Sequence, residues 1–263
     1  MSRSAWLTAS DQASPAGPIL PGAVSRIAAA ARIAGFVLCA LAWLALCRTP
    51  LAAPLRKAGL GALLRAVGIE VVRQGQPDPA PGTLLVANHI SWTDIAVLAS
   101  LSSAGFVAKS EVAGWPLLGS LARRAGCVFV ARHRPRDAAR QAGDVRMALG
   151  QGRSLVLFAE GTTGPGTVLL PFRSSLFPGN GTLRVQPVTI RYRRGDGTVL
   201  TPEELRRIAW LGDDELVPHV AALAGSGRRR AEVWFGESFL AADRKQAAAR
   251  CQAAIAGRLA EPG

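Results

Sequence analysis

The chain has 263 residues, of which 49% are hydrophobic, so it is long and apolar enough for one core-forming domain with a short appendage. Its formal net charge of +13 comes almost wholly from arginine and favours an anionic partner: nucleic acid, an anionic lipid surface or an acidic substrate. The sequence has no zinc-finger, recognition-helix or aromatic-interleaved basic pattern and no C-x-x-C pair among its four scattered cysteines, so we expect no nucleic-acid partner, no bound metal and a reducing compartment.

The N-terminal quarter of the sequence differs from the rest. Residues 1–22 are rich in Ser, Ala, Pro and Gly and are predicted to form a flexible tail. Residues 23–70 are predicted to form a membrane-associated helical segment. Within it, residues 33–47 carry no charge, and the run extended back to Ile27, with Arg32 snorkelling, is roughly long enough to cross a bilayer.

Three interpretations of this apolar run compete. A signal peptide is disfavoured because the run starts late and basic residues follow it closely. A buried core helix would have to hide Trp43 and an apolar surface on every side of the helix. We favour a spanning or re-entrant membrane helix. The excess of basic residues after it then predicts that the rest of the chain lies on the cytoplasmic face of the inner membrane.

The next stretch, residues 55–67, has helical periodicity. Leu60, Leu63, Leu64 and Val67 fall at i, i+3, i+4 and i+7, and basic residues occupy other positions of the helix. This pattern favours a basic amphipathic helix that lies in the headgroup plane of a membrane. An ordinary helix facing the protein core is almost as well supported.

After residue 82, short apolar runs alternate with helical stretches. Strands are predicted at residues 83–87, 105–108, 127–131, 154–159, 185–191 and 232–236. Helices are predicted at residues 93–101, 116–125, 136–150 and 243–260. The alternation predicts an α/β fold with a mostly parallel central sheet flanked by helices. We place this domain at residues 71–240, followed by a C-terminal helix in residues 241–263.

The stretch from Asn88 to Asp94 joins a predicted strand to a predicted helix. It places His89 where the strand ends and Asp94 in the first helical turn. An imidazole whose tautomer is fixed by a carboxylate can take a proton from a hydroxyl, which indicates a catalytic base. Ser91-x-x-Asp94 also matches a helix capping box, which would explain the aspartate without any chemistry. A cap does not require the histidine.

Three further blocks follow at predicted strand ends. Residues 126–132 form a strand that ends in Arg132, and residues 158–164 form a strand that opens into a glycine-bearing turn led by Glu160. Residues 185–190 form a strand interrupted by a proline. Each block alone is weak evidence for a functional site, because strand ends are often basic and a proline in a strand usually marks an edge or a bulge.

In this order and spacing the four blocks resemble the glycerolipid acyltransferases, the 1-acylglycerol-3-phosphate acyltransferase family, over roughly residues 80–195. The resemblance implies transfer of a fatty acyl group from an acyl carrier protein or coenzyme A thioester to a lysolipid hydroxyl, with no other cofactor. It implies that His89 is the general base and that Asp94 orients it. It also implies that four residues bind and position the acceptor: Arg132, Glu160, Gly161 and Thr162.

Two other polar residues are harder to assign. Lys109 matches a basic position that the family commonly has after its second strand, which implies a role in binding an anionic donor or acceptor. A salt-bridged strand end, with Glu111 nearby, explains Lys109 equally well. His219 follows a proline near a predicted helix start, and we expect a structural role for it in preference to a second base.

The third block departs from the phosphate-binding members of the family. Ala159 replaces their usual proline, and Thr163 replaces their usual arginine. An arginine makes charge-assisted hydrogen bonds to phosphate, whereas a threonine does not. The run from residue 158 to 177 and the stretch from Trp210 to His219 are similar to a branch that includes lyso-ornithine-lipid O-acyltransferases. We therefore expect a lysophosphatidate acceptor, giving phosphatidic acid, with a lyso-aminolipid as a nearly equal alternative. A non-catalytic lipid-binding membrane protein with the same fold is the minority hypothesis.

Overall fold

The computed structural model describes residues 23–46, 48–115, 118–130, 138–178, 181–224 and 226–261. The predicted flexible tail lies outside this part of the chain. The helices are α1 (Ala23–Leu46), α2 (Ala52–Ala66), α3 (Thr93–Leu101), α4 (Leu118–Arg124), α5 (Ala138–Gly150), α6 (Pro202–Ile208), α7 (Leu216–Ala224) and α8 (Arg244–Ala260). The strands are β1 (Ile69–Gln74), β2 (Leu84–Ala87), β3 (Gly105–Lys109), β4 (Val128–Val130), β5 (Leu155–Phe158), β6 (Leu183–Arg194), β7 (Arg229–Phe235) and β8 (Phe239–Ala241).

The described strands form one mixed sheet in the order β1-β7-β6-β2-β5-β3-β4, with β8 beside β6. Strand β6 is antiparallel to β7 and β8, and the other neighbours run parallel. Every residue of the central strands β2 and β5 is buried, as expected for parallel strands covered on both faces. Buried apolar clusters lie on the two faces of the sheet, one including α2 and α3, the other α5 and α8. The predicted α/β fold is confirmed.

Pro187 lies in the middle of β6 without disrupting the sheet. On one edge β6 pairs with β8 through Val185 and with β7 from Val188 onward, so residue 187 falls in the gap between two partners. Its carbonyl points to that edge, where it accepts a hydrogen bond from Gly236 N (2.9 Å). The nitrogen of Pro187 points to the same side as its carbonyl, towards this gap. Its lack of a hydrogen therefore costs the sheet no hydrogen bond between strands.

Helix α1 packs along α2, and Trp43 is buried with only 8% of its surface exposed. Trp43 is therefore hidden, as a helix packed on the domain requires. Ile27, Leu38 and Leu41 are exposed on α1. Among the described residues no helix combines the length and apolar character needed to cross a bilayer. Membrane association of this segment stays a prediction.

The apolar face of α2 packs on the domain instead of facing outward. Leu64 and Val67 are buried in the core on the α3 face of the sheet, and Leu60 and Leu63 pack against it. The predicted position in a headgroup plane is therefore wrong for this face, and the core-facing alternative is correct. These four residues belong to or pack against the apolar cluster on the face of the sheet that carries α3, and this tertiary packing determines which way the helix faces.

Candidate active site

The turn after β2 brings His89 and Asp94 together, as their spacing predicts. His89 Nδ1 lies 2.9 Å from Asp94 Oδ2. The neighbouring Asn88 joins the end of β2 to the middle of β6: its side-chain amide donates to Ile190 O (2.9 Å), and its Oδ1 accepts from Ile190 N (2.8 Å). These bonds fix the backbone from which the turn of residues 88–94 departs. We call this turn the catalytic turn, after the role predicted for His89.

Asp94 is fully buried, and its carboxylate has four hydrogen-bond partners. Oδ2 accepts from the backbone N–H groups of Ile90 (2.7 Å) and Ser91 (2.9 Å) as well as from His89, and Oδ1 accepts from the Tyr192 hydroxyl (2.6 Å). These donors compensate the buried charge. Helix α3 begins without a side-chain cap bond at its N-terminus, so a full capping box is not formed. The carboxylate of Asp94 therefore stabilises the backbone of the turn and orients His89.

Tyr192 was not predicted as a site residue. It reaches Asp94 from β6, 98 positions away in the sequence, and its hydroxyl also lies 2.7 Å from Thr93 Oγ1. Because the tyrosine hydroxyl donates to Asp94, the threonine hydroxyl is the donor in the second bond. Burial, followed by the Asp94 charge, raises the pKa of Tyr192 well above its usual value, so the phenol stays protonated.

His89 stacks on Phe158, with ring centroids 3.8 Å apart and ring planes inclined by 11°. The side chain is 14% exposed. With Nδ1–H donated to Asp94, the neutral imidazole keeps a lone pair on Nε2, which can accept a proton. The stack and the carboxylate together fix the ring in the orientation that a general base requires.

Glu160 is buried and acts on backbone atoms. Its Oε1 accepts from His89 N (2.7 Å) and its Oε2 accepts from Leu170 N (2.9 Å). Burial raises the pKa of Glu160 to about 7, against the two backbone hydrogen bonds, which lower it, while the Asp94 charge adds to the rise. Since Gly164 N also donates to His89 O (2.7 Å), the loop after β5 is tied to the catalytic turn at two points.

The remaining predicted site residues lie as follows. Gly161 has a φ of +78°, and a Cβ there would lie 3.3 Å from the side chain of Arg173, so the turn favours glycine. Thr162 is exposed in the same turn, and Lys109 is exposed at the end of β3. Arg132 lies outside the described residues. Acceptor binding by these four residues and by Glu160 stays a prediction.

The residue at position 163 has a structural partner. The Thr163 hydroxyl donates a hydrogen bond to Trp210 O, and Trp210 N donates to Ile90 O (3.0 Å). The C-terminal stretch that begins at Ala209 is thereby fastened to the catalytic turn. Sequence similarity drew attention to Trp210, but nothing in the local sequence indicated these contacts.

Comparisons with known proteins identify the family of the chain. Residues 64–191 match the family model described as Acyltransferase. A lyso-ornithine lipid O-acyltransferase from Rhodobacter capsulatus is 35% identical over 72% of this chain and 70% of its own length. The chain belongs to the acyltransferase family.

Other acyltransferases also match. The lyso-ornithine lipid O-acyltransferase of Rhizobium meliloti is 39% identical over 65% of this chain, and the match spans 62% of that protein. A 1-acyl-sn-glycerol-3-phosphate acyltransferase of Neisseria gonorrhoeae is 36% identical over 51% of this chain and 53% of its own length. The crystal structure of the 1-acyl-sn-glycerophosphate acyltransferase PlsC from Thermotoga maritima has the same fold, with a TM-score of 0.55 and 17% identity over 91% of this chain and 99% of that one.

Beside the catalytic turn of this acyltransferase lies a cavity of about 290 Å³. Its lining comes mainly from α1 to α4 and β3, with further residues that include Trp115, Trp210 and Leu216, and is apolar except for Arg56. Trp92, which belongs to the catalytic turn, and Phe106 line it. Phe106 also packs on Phe158, with centroids 6.2 Å apart, and so lies one ring away from His89. The cavity is suited to an apolar ligand, and its wall is connected to the imidazole through the rings of Phe106 and Phe158.

Proposed function

We propose that the protein transfers a fatty acyl group from an acyl carrier protein or coenzyme A thioester to the hydroxyl of a lysolipid. The observation that carries this proposal is the His89–Asp94 pair, with its 2.9 Å contact, beside an apolar cavity. A base and a site for an acyl chain are what the reaction requires, because the nucleophile is the hydroxyl of the acceptor itself.

In the proposed mechanism, Nε2 of His89 takes the proton from the acceptor hydroxyl as its oxygen attacks the thioester carbonyl. Asp94 stabilises the imidazolium that forms. The tetrahedral intermediate then collapses: the carbon–sulfur bond breaks, the new ester bond remains, and the departing thiolate takes the proton from His89 to leave as a thiol. No covalent enzyme intermediate is needed.

Lyso-ornithine lipid is the acceptor that we favour. The relatives with that name match 65% and 72% of the chain, against 51% for the glycerophosphate enzyme of Neisseria gonorrhoeae. The Thr163 hydroxyl is also engaged with Trp210 O, and a threonine supplies no positive charge for a phosphate. Lysophosphatidate is the second candidate. The 36% identity to the Neisseria gonorrhoeae enzyme and the net charge of +13 favour it.

We also infer that the protein acts at the cytoplasmic face of the inner membrane, since acceptor and product are lipids. The exposed apolar residues of α1 support contact with a bilayer. Acceptor binding by Lys109, Arg132 and the exposed Thr162 belongs to the same proposal, with Glu160 and Gly161 shaping the loop.

The test uses purified protein with palmitoyl thioester donors and each acceptor in turn, lyso-ornithine lipid and lysophosphatidate. We expect release of free thiol with one acceptor and loss of that release in His89→Ala. Full turnover by His89→Ala would refute the assignment of the base. No thiol release with any donor, together with lysolipid binding that Asp94→Asn leaves unchanged, would favour the non-catalytic lipid-binding hypothesis. Lipid profiles of cells with and without the gene would identify the acceptor.

A further inference from the structure

Trp92, inside the catalytic turn, is held by a residue far away in the sequence. Its indole Nε1–H donates to Nδ1 of His219 in α7, at 3.0 Å. An indole nitrogen can only donate, so His219 Nδ1 must carry a lone pair. This requirement fixes the imidazole in a state with no proton on Nδ1.

The other ring nitrogen of His219 is engaged as well. Nε2 lies 3.2 Å from Ala209 O, which can only accept, so Nε2 carries the proton. His219 is therefore a neutral imidazole with both nitrogens committed. Burial lowers the pKa of His219, which agrees with this state. The hydrogen bond to Ala209 O and the charge of Asp214 raise this pKa, and the charges of Arg206 and Arg229 lower it.

The segment that carries these contacts, residues 209–219, is itself attached to the catalytic turn. Trp210 N donates to Ile90 O, and Trp210 O accepts from Thr163. Within the segment, the Trp210 indole donates to Asp214 O (2.6 Å). The backbone that carries His219 is thus held in place by these hydrogen bonds, so the imidazole can fix the position of the Trp92 indole.

Trp92 occupies a position that matters for an acyl chain. It lines the apolar cavity, and it lies between His89 and Asp94 in the sequence of the turn. Trp115 and Trp210 line the same cavity and meet edge to face, with centroids 6.4 Å apart. Indole rings therefore form part of the cavity wall, and Trp92 is the one contributed by the catalytic turn.

We propose that His219 is a positioning residue for the acyl donor: it holds the Trp92 indole in the cavity wall beside His89 and so determines where the thioester carbonyl lies relative to the base. This inference rests on the proposed acyl transfer. If the hydrogen-bond acceptor at position 219 is removed, the indole N–H of Trp92 loses its partner. The indole ring then rotates or forms a hydrogen bond to water. The base and its carboxylate stay intact, so the defect concerns the placement of the donor.

The experiment compares His219→Phe, which keeps a ring but removes the acceptor, with His219→Gln, whose amide supplies an acceptor and a donor at similar spacing. Trp92→Phe removes the donor of the same hydrogen bond, the indole N–H. Thiol release is measured with palmitoyl-acyl carrier protein and palmitoyl-coenzyme A, with the better donor used throughout. We expect kcat/KM for the donor to fall about tenfold in His219→Phe and in Trp92→Phe, as for loss of one hydrogen bond.

Three further results are expected. The KM for the lysolipid stays unchanged, His219→Gln recovers most of the lost activity, and the double variant His219→Phe/Trp92→Phe is no worse than either single variant. The inference is overturned if folded His219→Phe keeps kcat/KM for the donor within about twofold, or if His219→Gln is as impaired as His219→Phe. Equal effects on donor and acceptor would also overturn it, since they would indicate a structural role alone.

Binding measurements separate this inference from the proposed function. In a His89→Ala background, titration calorimetry with palmitoyl-coenzyme A reports donor affinity without turnover, and His219→Phe should weaken it about tenfold. If the wild-type protein releases no thiol with any donor, the proposed function fails, while the calorimetric comparison still decides the role of His219. Equal affinities in the two proteins would refute that role.

Discussion

Tyr192 donates to Asp94 Oδ1 and so completes the set of bonds that holds the carboxylate against His89. Replacing it by Phe removes a hydrogen bond to a buried charge, which is worth roughly 1.5–3 kcal/mol. We expect Tyr192→Phe to lose about that much free energy of unfolding and to lower kcat about tenfold or more, because Asp94 can then turn away from the imidazole. Urea unfolding and steady-state thiol release measure the two effects.

Thr93→Val is the matched control for this variant. It removes the other hydrogen bond of the Tyr192 hydroxyl and leaves the bond to Asp94 in place. We expect a smaller loss of kcat than in Tyr192→Phe. If Thr93→Val lowers kcat as much as Tyr192→Phe does, the effect comes from repacking around the phenol and the positioning of Asp94 is not its cause.

Glu160 gives the site a pH dependence. Its pKa rises from the ordinary 4.5 to about 7, so the folded protein holds this proton more tightly than the unfolded chain does. The resulting stabilisation is present below about pH 4.5 and is lost as the pH rises through 7. Glu160→Gln cannot ionise, so the wild type should lose stability relative to this variant between pH 5 and 8, by about 3 kcal/mol at most. Urea unfolding at the two pH values measures the difference.

Glu203→Gln is the control for that experiment, because Glu203 is exposed on α6. Its stability relative to the wild type should change little over the same pH range. A Glu160→Gln protein whose stability follows that of the wild type at both pH values would contradict the raised pKa of Glu160.

At the residue scale, the sequence predicts contacts that are close along the chain and misses distant ones. His89 and Asp94 could be paired because one turn joins the strand end to the first turn of a helix. Tyr192 reaches the same carboxylate only because β6 pairs with β2, and His219 reaches Trp92 only because α7 packs beside that turn. Such contacts depend on tertiary pairing, which local patterns do not encode. Glu160 was predicted to bind the acceptor, yet its contacts are with backbone amides.

At the scale of elements, α1 has two unlike faces. Ala40 and Trp43 are buried, while Ile27, Leu38 and Leu41 are exposed. We expect Leu38→Ser/Leu41→Ser to weaken binding to phospholipid vesicles more than tenfold, since two leucines that enter a bilayer contribute several kcal/mol. Cosedimentation with vesicles measures this, and the melting temperature should stay close to that of the wild type.

Val199→Ser/Leu240→Ser is the control for the α1 variant. These two residues are as exposed as those on α1, but they lie near β6 and on β8. Vesicle binding should be unchanged in this protein. Equal weakening by both double variants would show that the membrane contact is not specific to α1.

The elements themselves were predictable where the apolar pattern is strong. All six predicted strands and all four predicted helices of residues 83–263 are present within a few residues. Strand β1 was missed because half of its residues are polar, and β8 because it has only three residues. Helix α6 was missed because most of its residues are charged, and α7 because it contains Pro218. The sequence signal that could have revealed α6 is the capping box of Thr201 and Glu204, with Pro202 at the start of the helix. The packing of α1 and α2 was not predictable, because an apolar face suits a core as well as a bilayer.

At the scale of the whole molecule, a net charge of +13 and an exposed apolar face on α1 are two separate signals for a membrane surface. One signal alone gives weak binding, and two together give stable attachment. The electrostatic signal depends on salt, whereas the apolar signal depends on it little. The two contributions can therefore be separated by changing the ionic strength and the lipid charge.

We expect the protein to bind vesicles that contain phosphatidylglycerol much more tightly than vesicles of phosphatidylcholine alone. Raising NaCl from about 0.05 M to about 0.5 M should reduce binding to the anionic vesicles by more than tenfold, because it shortens the screening length several-fold. Binding to the neutral vesicles should be weak, insensitive to salt and lost in Leu38→Ser/Leu41→Ser. Cosedimentation over a salt series measures all three. Tight binding to both kinds of vesicle that salt does not change would show that the apolar face acts alone and that the arginine-rich charge has no part in membrane attachment.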